Sequence, residues 1–192
     1  MGHLQGLDDY LAEKYAVSEF DTAVASGKPL ALHLHGRRVL EGVVLENRKW
    51  EITLDIAGKG KEELQKIQVN YLYPAELRES VKLLIKVDKK VQSLNLEPIL
   101  APRKRYFVKN KTLFPLIKEK EVLLFTLLDG EVLRGIVTDF SRYEITVSMK
   151  GGVLATILRH SIYDVRNKKG RCFLKSFQDL HRDWEKSPLF IS

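Results

Sequence analysis

The chain repeats itself, and what repeats is a set of strands. Val39, Leu40 and Gly42 fall on Val132, Leu133 and Gly135 at a displacement of 93 positions, as do Val44 on Val137 and Trp50-Glu51-Ile52-Thr53 on Tyr143-Glu144-Ile145-Thr146. After the Gly58-Lys59-Gly60-Lys61 loop the reading changes to a displacement of 90. That sets Leu72-Tyr73 on Ile162-Tyr163, and makes Gln68-Val69-Asn70 the counterpart of the triplet that holds Arg159 and His160. Both copies are rich in β-branched, aromatic and charged residues between glycine turns such as Gly36-Arg37, Asp129-Gly130 and Gly151-Gly152. Short hairpin-linked strands have this composition. A duplicated β unit constrains the fold more than any other feature, because chance agreement would have to occur twice.

The segments around the two copies read differently. Leu7, Tyr10, Leu11 and Tyr15 recur at helical spacing, and Ser18-Glu19-Phe20-Asp21 resembles a capping box, so residues 7–25 are expected to be helical and to lie across the open end of a barrel. Between the copies, Leu77, Val81, Leu84, Ile85 and Val91 suggest a helical face. Leu96 to Pro102 contains two prolines and is expected to be extended. Arg103-Lys104-Arg105-Tyr106-Phe107 then mixes cations with aromatics, and Leu113-Phe114-Pro115-Leu116-Ile117 leads into the second barrel. After Val165 a last helix is expected, with Phe173, Leu174, Phe177, Leu180 and Trp184 on one face. The fold class is therefore mainly β: two five-stranded, bent-sheet barrels in tandem with flanking helices. The boundaries fall at 1–75 for the first barrel and its leading helix, 76–117 for the linker, 118–167 for the second barrel and 168–192 for the terminal helix.

Charge narrows the partners. Residues 1–100 hold 14 Lys and Arg against 15 Asp and Glu, whereas residues 101–192 hold 18 against 10, so the net +7 resides in the second half. Phosphate neutralisation supplies most non-specific nucleic-acid affinity, and a polyanion is the natural partner of such a half; a merely solubilising surface is the alternative. No apolar run is as long as a membrane span, and the N-terminal residues lack the pattern of a secretory signal. Cys172 is the single cysteine, which excludes an internal disulfide and points to the cytoplasm.

The second copy resembles the bacterial Sm-like RNA chaperone family, Hfq. That family's G-x-x-L-x-G turn is matched by Gly130, Leu133 and Gly135, its F-x-x-[FY]-x-[IV] strand by Phe140, Tyr143 and Ile145, and its Y-K-H-[AS]-I motif by Leu158-Arg159-His160-Ser161-Ile162. Leu158, Ser141 and Glu144 depart from the usual residues. The resemblance implies Sm-like, SH3-like barrels and binding of uridine-rich single-stranded RNA, with Tyr143 stacking on a base and Arg142 beside it. Arg159 would hold a uracil edge or phosphate, and His160 would hydrogen-bond base or ribose. In the first copy Trp50, preceded by Arg48 and Lys49, retains the aromatic, and Lys118 and Lys120 fall near the family's basic rim. It also implies assembly by edge pairing, most simply a homotrimer forming a six-barrel ring, and a role in post-transcriptional regulation or RNA chaperoning.

Other chemistry is poorly represented. His33 and His35 share a strand face without a third metal ligand, the Gly58-Lys59-Gly60-Lys61 loop lacks phosphate-loop spacing, and no nucleophile–base pair is recognisable. No enzyme activity and no cofactor are expected. The rival to RNA binding is a tandem barrel serving as a protein-interaction or scaffold module, since fold alone does not fix function.

Overall fold

The computed structural model describes residues 2–192. A two-residue strand β1 (His3–Leu4) precedes helices α1 (Leu7–Lys14) and α2 (Glu19–Ser26). Strands β2 (Pro29–Leu34), β3 (Arg38–Asn47), β4 (Glu51–Ile56) and β5 (Gly60–Gln65) follow, then a 3-10 turn at Lys66–Gln68 and β6 (Val69–Pro74). Helix α3 (Arg78–Leu84), strand β7 (Lys86–Val87) and helix α4 (Lys89–Gln92) lead through an irregular run to α5 (Asn110–Glu119). The pattern then returns as β8 (Leu123–Leu127), β9 (Glu131–Phe140), β10 (Glu144–Met149), β11 (Leu154–Leu158), a 3-10 turn at Arg159–Ser161 and β12 (Ile162–Asn167). Helix α6 (Lys175–His181) and strand β13 (Phe190–Ile191) follow.

The repeat holds one displacement throughout. β3 and β9, β4 and β10, the two 3-10 turns, and β6 and β12 each begin 93 positions apart, and α2 and α5 end 93 apart. The expected change to 90 after the β4–β5 hairpin does not occur: Gly58 and Gly151 sit at equivalent tips with φ of 77° and 79°. The counterpart of Arg159 is therefore Lys66, not a residue of Gln68-Val69-Asn70. Even the irregularities repeat. The β3–β4 ladder skips Leu45 and the β9–β10 ladder skips Thr138, its equivalent, and a bulge of this kind bends a long strand over its own sheet.

The two units join edge to edge. The hydrogen-bonded order is β12-β8-β9-β10-β11-β6-β2-β3-β4-β5, with β7 added alongside β9. This is a single open antiparallel sheet, and the pair of closed barrels expected from the sequence does not form among the described residues. The seam is the β11–β6 pairing, with Thr156 opposite Leu72 and Ile157 opposite Tyr71. Side chains reinforce it: Asn70 Nδ2 donates to Asp129 Oδ2 at 2.7 Å, Tyr71 Oη to Glu131 Oε1 at 3.2 Å, and Ser161 Oγ to Asn70 O at 3.0 Å. Each unit has its own core. Phe20, Leu32, Ile52 and Leu54 centre the first; Leu113, Phe125, Leu133, Phe140 and Ile145 centre the second.

The flanking elements divide in a way the sequence did not suggest. α2 packs on its own unit, with Phe20 and Ala23 buried there, whereas Leu7 of α1 lies in the core of the second unit. Residues 113–117, expected as an entry to the second barrel, lie within α5, which covers the second unit as α2 covers the first. Pro115 removes one helical N–H, but Leu113, Phe114 and Leu116 are buried beside it and offset that loss. The last helix is shorter than expected; Phe173, Leu174 and Trp184 are buried, while Leu180 is exposed. A six-barrel ring would use the outer edge of β12, and in the single chain residues 171–173 lie along that edge.

Candidate nucleic-acid interface

The β3–β4 and β9–β10 turns are built alike. Arg48 N donates to Glu51 O and Lys66 N to Trp50 O, both at 2.9 Å. In the second unit Ser141 N donates to Glu144 O at 2.9 Å and Arg159 N to Tyr143 O at 2.8 Å. This geometry turns Trp50 and Tyr143 outward; they are 68% and 60% exposed, the most exposed aromatic side chains of their units. Each carries a cation from the preceding position over its ring, Lys49 Nζ at 5.0 Å and the Arg142 guanidinium at 5.3 Å.

The two turns meet at the first turn of α2. Asn47 Nδ2 donates to Asp21 Oδ1 at 2.7 Å, while Ser18 Oγ and Glu19 N both donate to the Glu144 carboxylate at 2.8 Å. Arg142 N also donates to Tyr15 O. Glu144 is buried, which pushes its pKa up, and the donors of Ser18 and Glu19 work against that shift. The residue that breaks the family pattern thus caps the first unit's helix from the second unit. Arg48, which precedes Lys49, is engaged by Glu46, Glu51 and Glu63. Lys49 and Arg142 therefore remain as the solvent-facing cations of the two turns.

Arg159 and His160 do not join Tyr143 on that surface. The Arg159 side chain is buried, lies 5.3 Å from the Phe140 ring, and donates through Nη1 to Asn110 Oδ1 at 3.0 Å and Val108 O at 3.4 Å. Burial pulls its pKa down to about 10. His160 Nε2 bonds Val69 O at 2.9 Å across the seam, and burial, followed by the positive charge of Arg105, lowers its pKa to about 4. It is neutral at pH 7 and donates to that carbonyl. Lys66 behaves as its counterpart Arg159 does, folding back to donate to Arg48 O beside the Phe20 ring. The expected Tyr143/Arg159/His160 pocket is thus replaced by two aromatic–cation pairs, with Arg159 buried and Lys66 held against the backbone of its own turn at the surface. A constant displacement of 93 would have revealed Lys66 in the sequence; nothing in the sequence pointed to Glu144 as a cap.

Lys118 and Lys120 are exposed at the end of α5, Lys120 in the left-handed region at φ 50°. The basic strap also remains on the surface. Tyr106 and Phe107 are 39% and 46% exposed, and with Arg105, Leu174, Lys175, Ser176 and Asp179 they line a shallow groove of about 360 Å³. His33 is committed to Tyr73 Oη at 2.8 Å and to Glu131, and among the described residues no group of three or more His, Cys, Asp or Glu side chains is arranged to hold a metal. Among them also, no helix is long and apolar enough to cross a membrane. No protein-family model matches the sequence, and no curated protein is significantly similar to it.

Proposed function

We propose that the chain binds single-stranded RNA, with bases stacking on Trp50 and Tyr143 and phosphates drawn to Lys49 and Arg142, and that it acts as a post-transcriptional regulator or RNA chaperone of the Sm-like kind. The observation that carries this reading is the repetition of one exposed aromatic–cation pair in both units, the two flanking the start of α2. Stacking on an aromatic face is worth about 1–3 kcal/mol per base and tolerates any sequence. The basic second half, including Lys118 and Lys120, supplies longer-range attraction. A uridine preference rests on the family resemblance alone, because Arg159 and His160 face inward.

Fluorescence anisotropy with labelled oligouridylate and oligoadenylate tests the reading. Trp50→Ala and Tyr143→Ala are each expected to weaken binding by about 10-fold or more, following the stacking energy above. Equal affinity of wild type and the double variant, or no binding by wild type, would exclude it. The protein-interaction reading is favoured by one observation, the covered β12 edge, which suits a chain that works without ring assembly.

A further inference from the structure

The seam shows how one unit receives the next. β11 contributes its outer edge and β6 its own, with Thr156 opposite Leu72 and Ile157 opposite Tyr71. By the constant displacement, β11 corresponds to β5 and β6 to β12. The chain therefore carries a second copy of each half of this joint, at the two ends of the sheet. Transferring the seam register places Glu63 opposite Val165, Leu64 opposite Asp164 and Glu62 opposite Arg166. Glu62 on β5 would face Arg166 across this joint, an oppositely charged pair on one face of the sheet. The partner that fits the outer edge of β5 is the β12 edge of a second copy.

That β12 edge is already occupied. Cys172 bridges Arg166, Phe173 N donates to Val165 O at 2.8 Å, and Asn167 N donates to Arg171 O at 3.1 Å. Val165 is the counterpart of Leu72, a residue at the seam itself. The segment is pinned from behind: the Arg171 guanidinium forks onto the Asp183 carboxylate, and Gln178 Nε2 donates to Cys172 O at 3.0 Å and to Asp183 Oδ2 at 2.7 Å. Phe173 and Trp184 are buried and anchor it.

We propose that residues 171–173 stand in for the strand of a neighbouring unit, holding the protein as a monomer and blocking pairing of β12 with the β5 edge of a second copy until they are displaced. The inference is drawn from the sheet alone and does not depend on RNA binding. Light scattering on a sizing column, over a wide range of concentration, tests it. Wild type is expected at the mass of one chain throughout. Phe173→Pro, which removes the donor to Val165 O, is expected to shift toward multiples of that mass, and adding Glu62→Arg opposite Arg166 is expected to return it to one chain. Where Phe173→Pro loses its circular-dichroism signal, Asp183→Ala removes the anchor of Arg171, leaves the buried apolar residues in place, and carries the same expectation. A wild type that is already oligomeric, folded variants that stay at one chain, or assembly indifferent to Glu62→Arg would each overturn the proposal.

Discussion

Arg159 buries a charge with little to balance it. One guanidinium nitrogen reaches Asn110 and Val108, while Nε and Nη2 have no partner among the described residues. Removing a buried charge in favour of an apolar side chain of similar volume is often neutral or stabilising, by about 1–4 kcal/mol. Arg159→Met is therefore expected to leave the urea midpoint unchanged or raise it, and to leave RNA affinity intact; a large loss of affinity would show that the guanidinium reaches the ligand after all. His160 gives the opposite test. Its pKa falls from 6.5 to about 4 on folding, so the native state refuses a proton that the unfolded chain accepts. The stability this residue contributes is complete above pH 6.5 and is lost as pH falls from there toward 4, amounting to about 3 kcal/mol at most. Glu144 and Asp129, whose pKa values are raised by burial, act in the reverse direction over part of that range. The comparison of wild type with His160→Gln isolates the histidine: the variant is expected to lose less stability between pH 6.5 and pH 4.

At the scale of the element, the same two glycines decide how each unit bends. A Cβ on Gly42 would lie 2.5 Å from Asp55 O, and one on Gly135 would lie 2.6 Å from Ser148 O, the equivalent carbonyl. Both clashes are with backbone, which cannot move aside without breaking the ladder. Gly42→Ala and Gly135→Ala are each expected to cost about 1–3 kcal/mol in chemical denaturation. Gly151→Ala meets no atom within 4 Å and carries only the strain of its positive φ, about 1–2 kcal/mol. Gly42 and Gly135 were legible in the sequence as a matched pair, as were most of the strands, because alternation and turn glycines are local signals. The elements that were misread depend on distant partners. Residues 113–117 read as an entry to the second barrel, yet burial against the second unit makes them helical despite Pro115. Ser18 reads as a capping box and does start α2, but no local signal shows that α1 and α2 go to different units. The site shows the same division. Tyr143 was legible from the family resemblance and Trp50 from its place in the repeat, whereas the inward turn of Arg159 depends on Val108 and Asn110, some fifty residues away in sequence.

For the molecule as a whole the question is whether two repeated units unfold as two domains or as one. Ala31, Tyr71 and Tyr73 of the first unit pack into the core of the second, and Leu158 of the second packs into the core of the first. Glu144 caps α2 from across the divide, and His160 and Ser161 bond the carbonyls of Val69 and Asn70, the first two residues of β6. Separating the units would expose these side chains and leave Asn70, Glu131 and Glu144 without their partners, a cost that neither core alone would offset. One cooperative transition is therefore expected, with the two halves unable to fold apart. The two tryptophans make this measurable. Trp184 is buried with the second unit and Trp50 is exposed on the first, so fluorescence follows the second unit while far-ultraviolet circular dichroism follows the strands of both. The two signals are expected to trace the same urea curve. A fluorescence transition separated from the dichroism transition would show that the seam is a contact between independent domains.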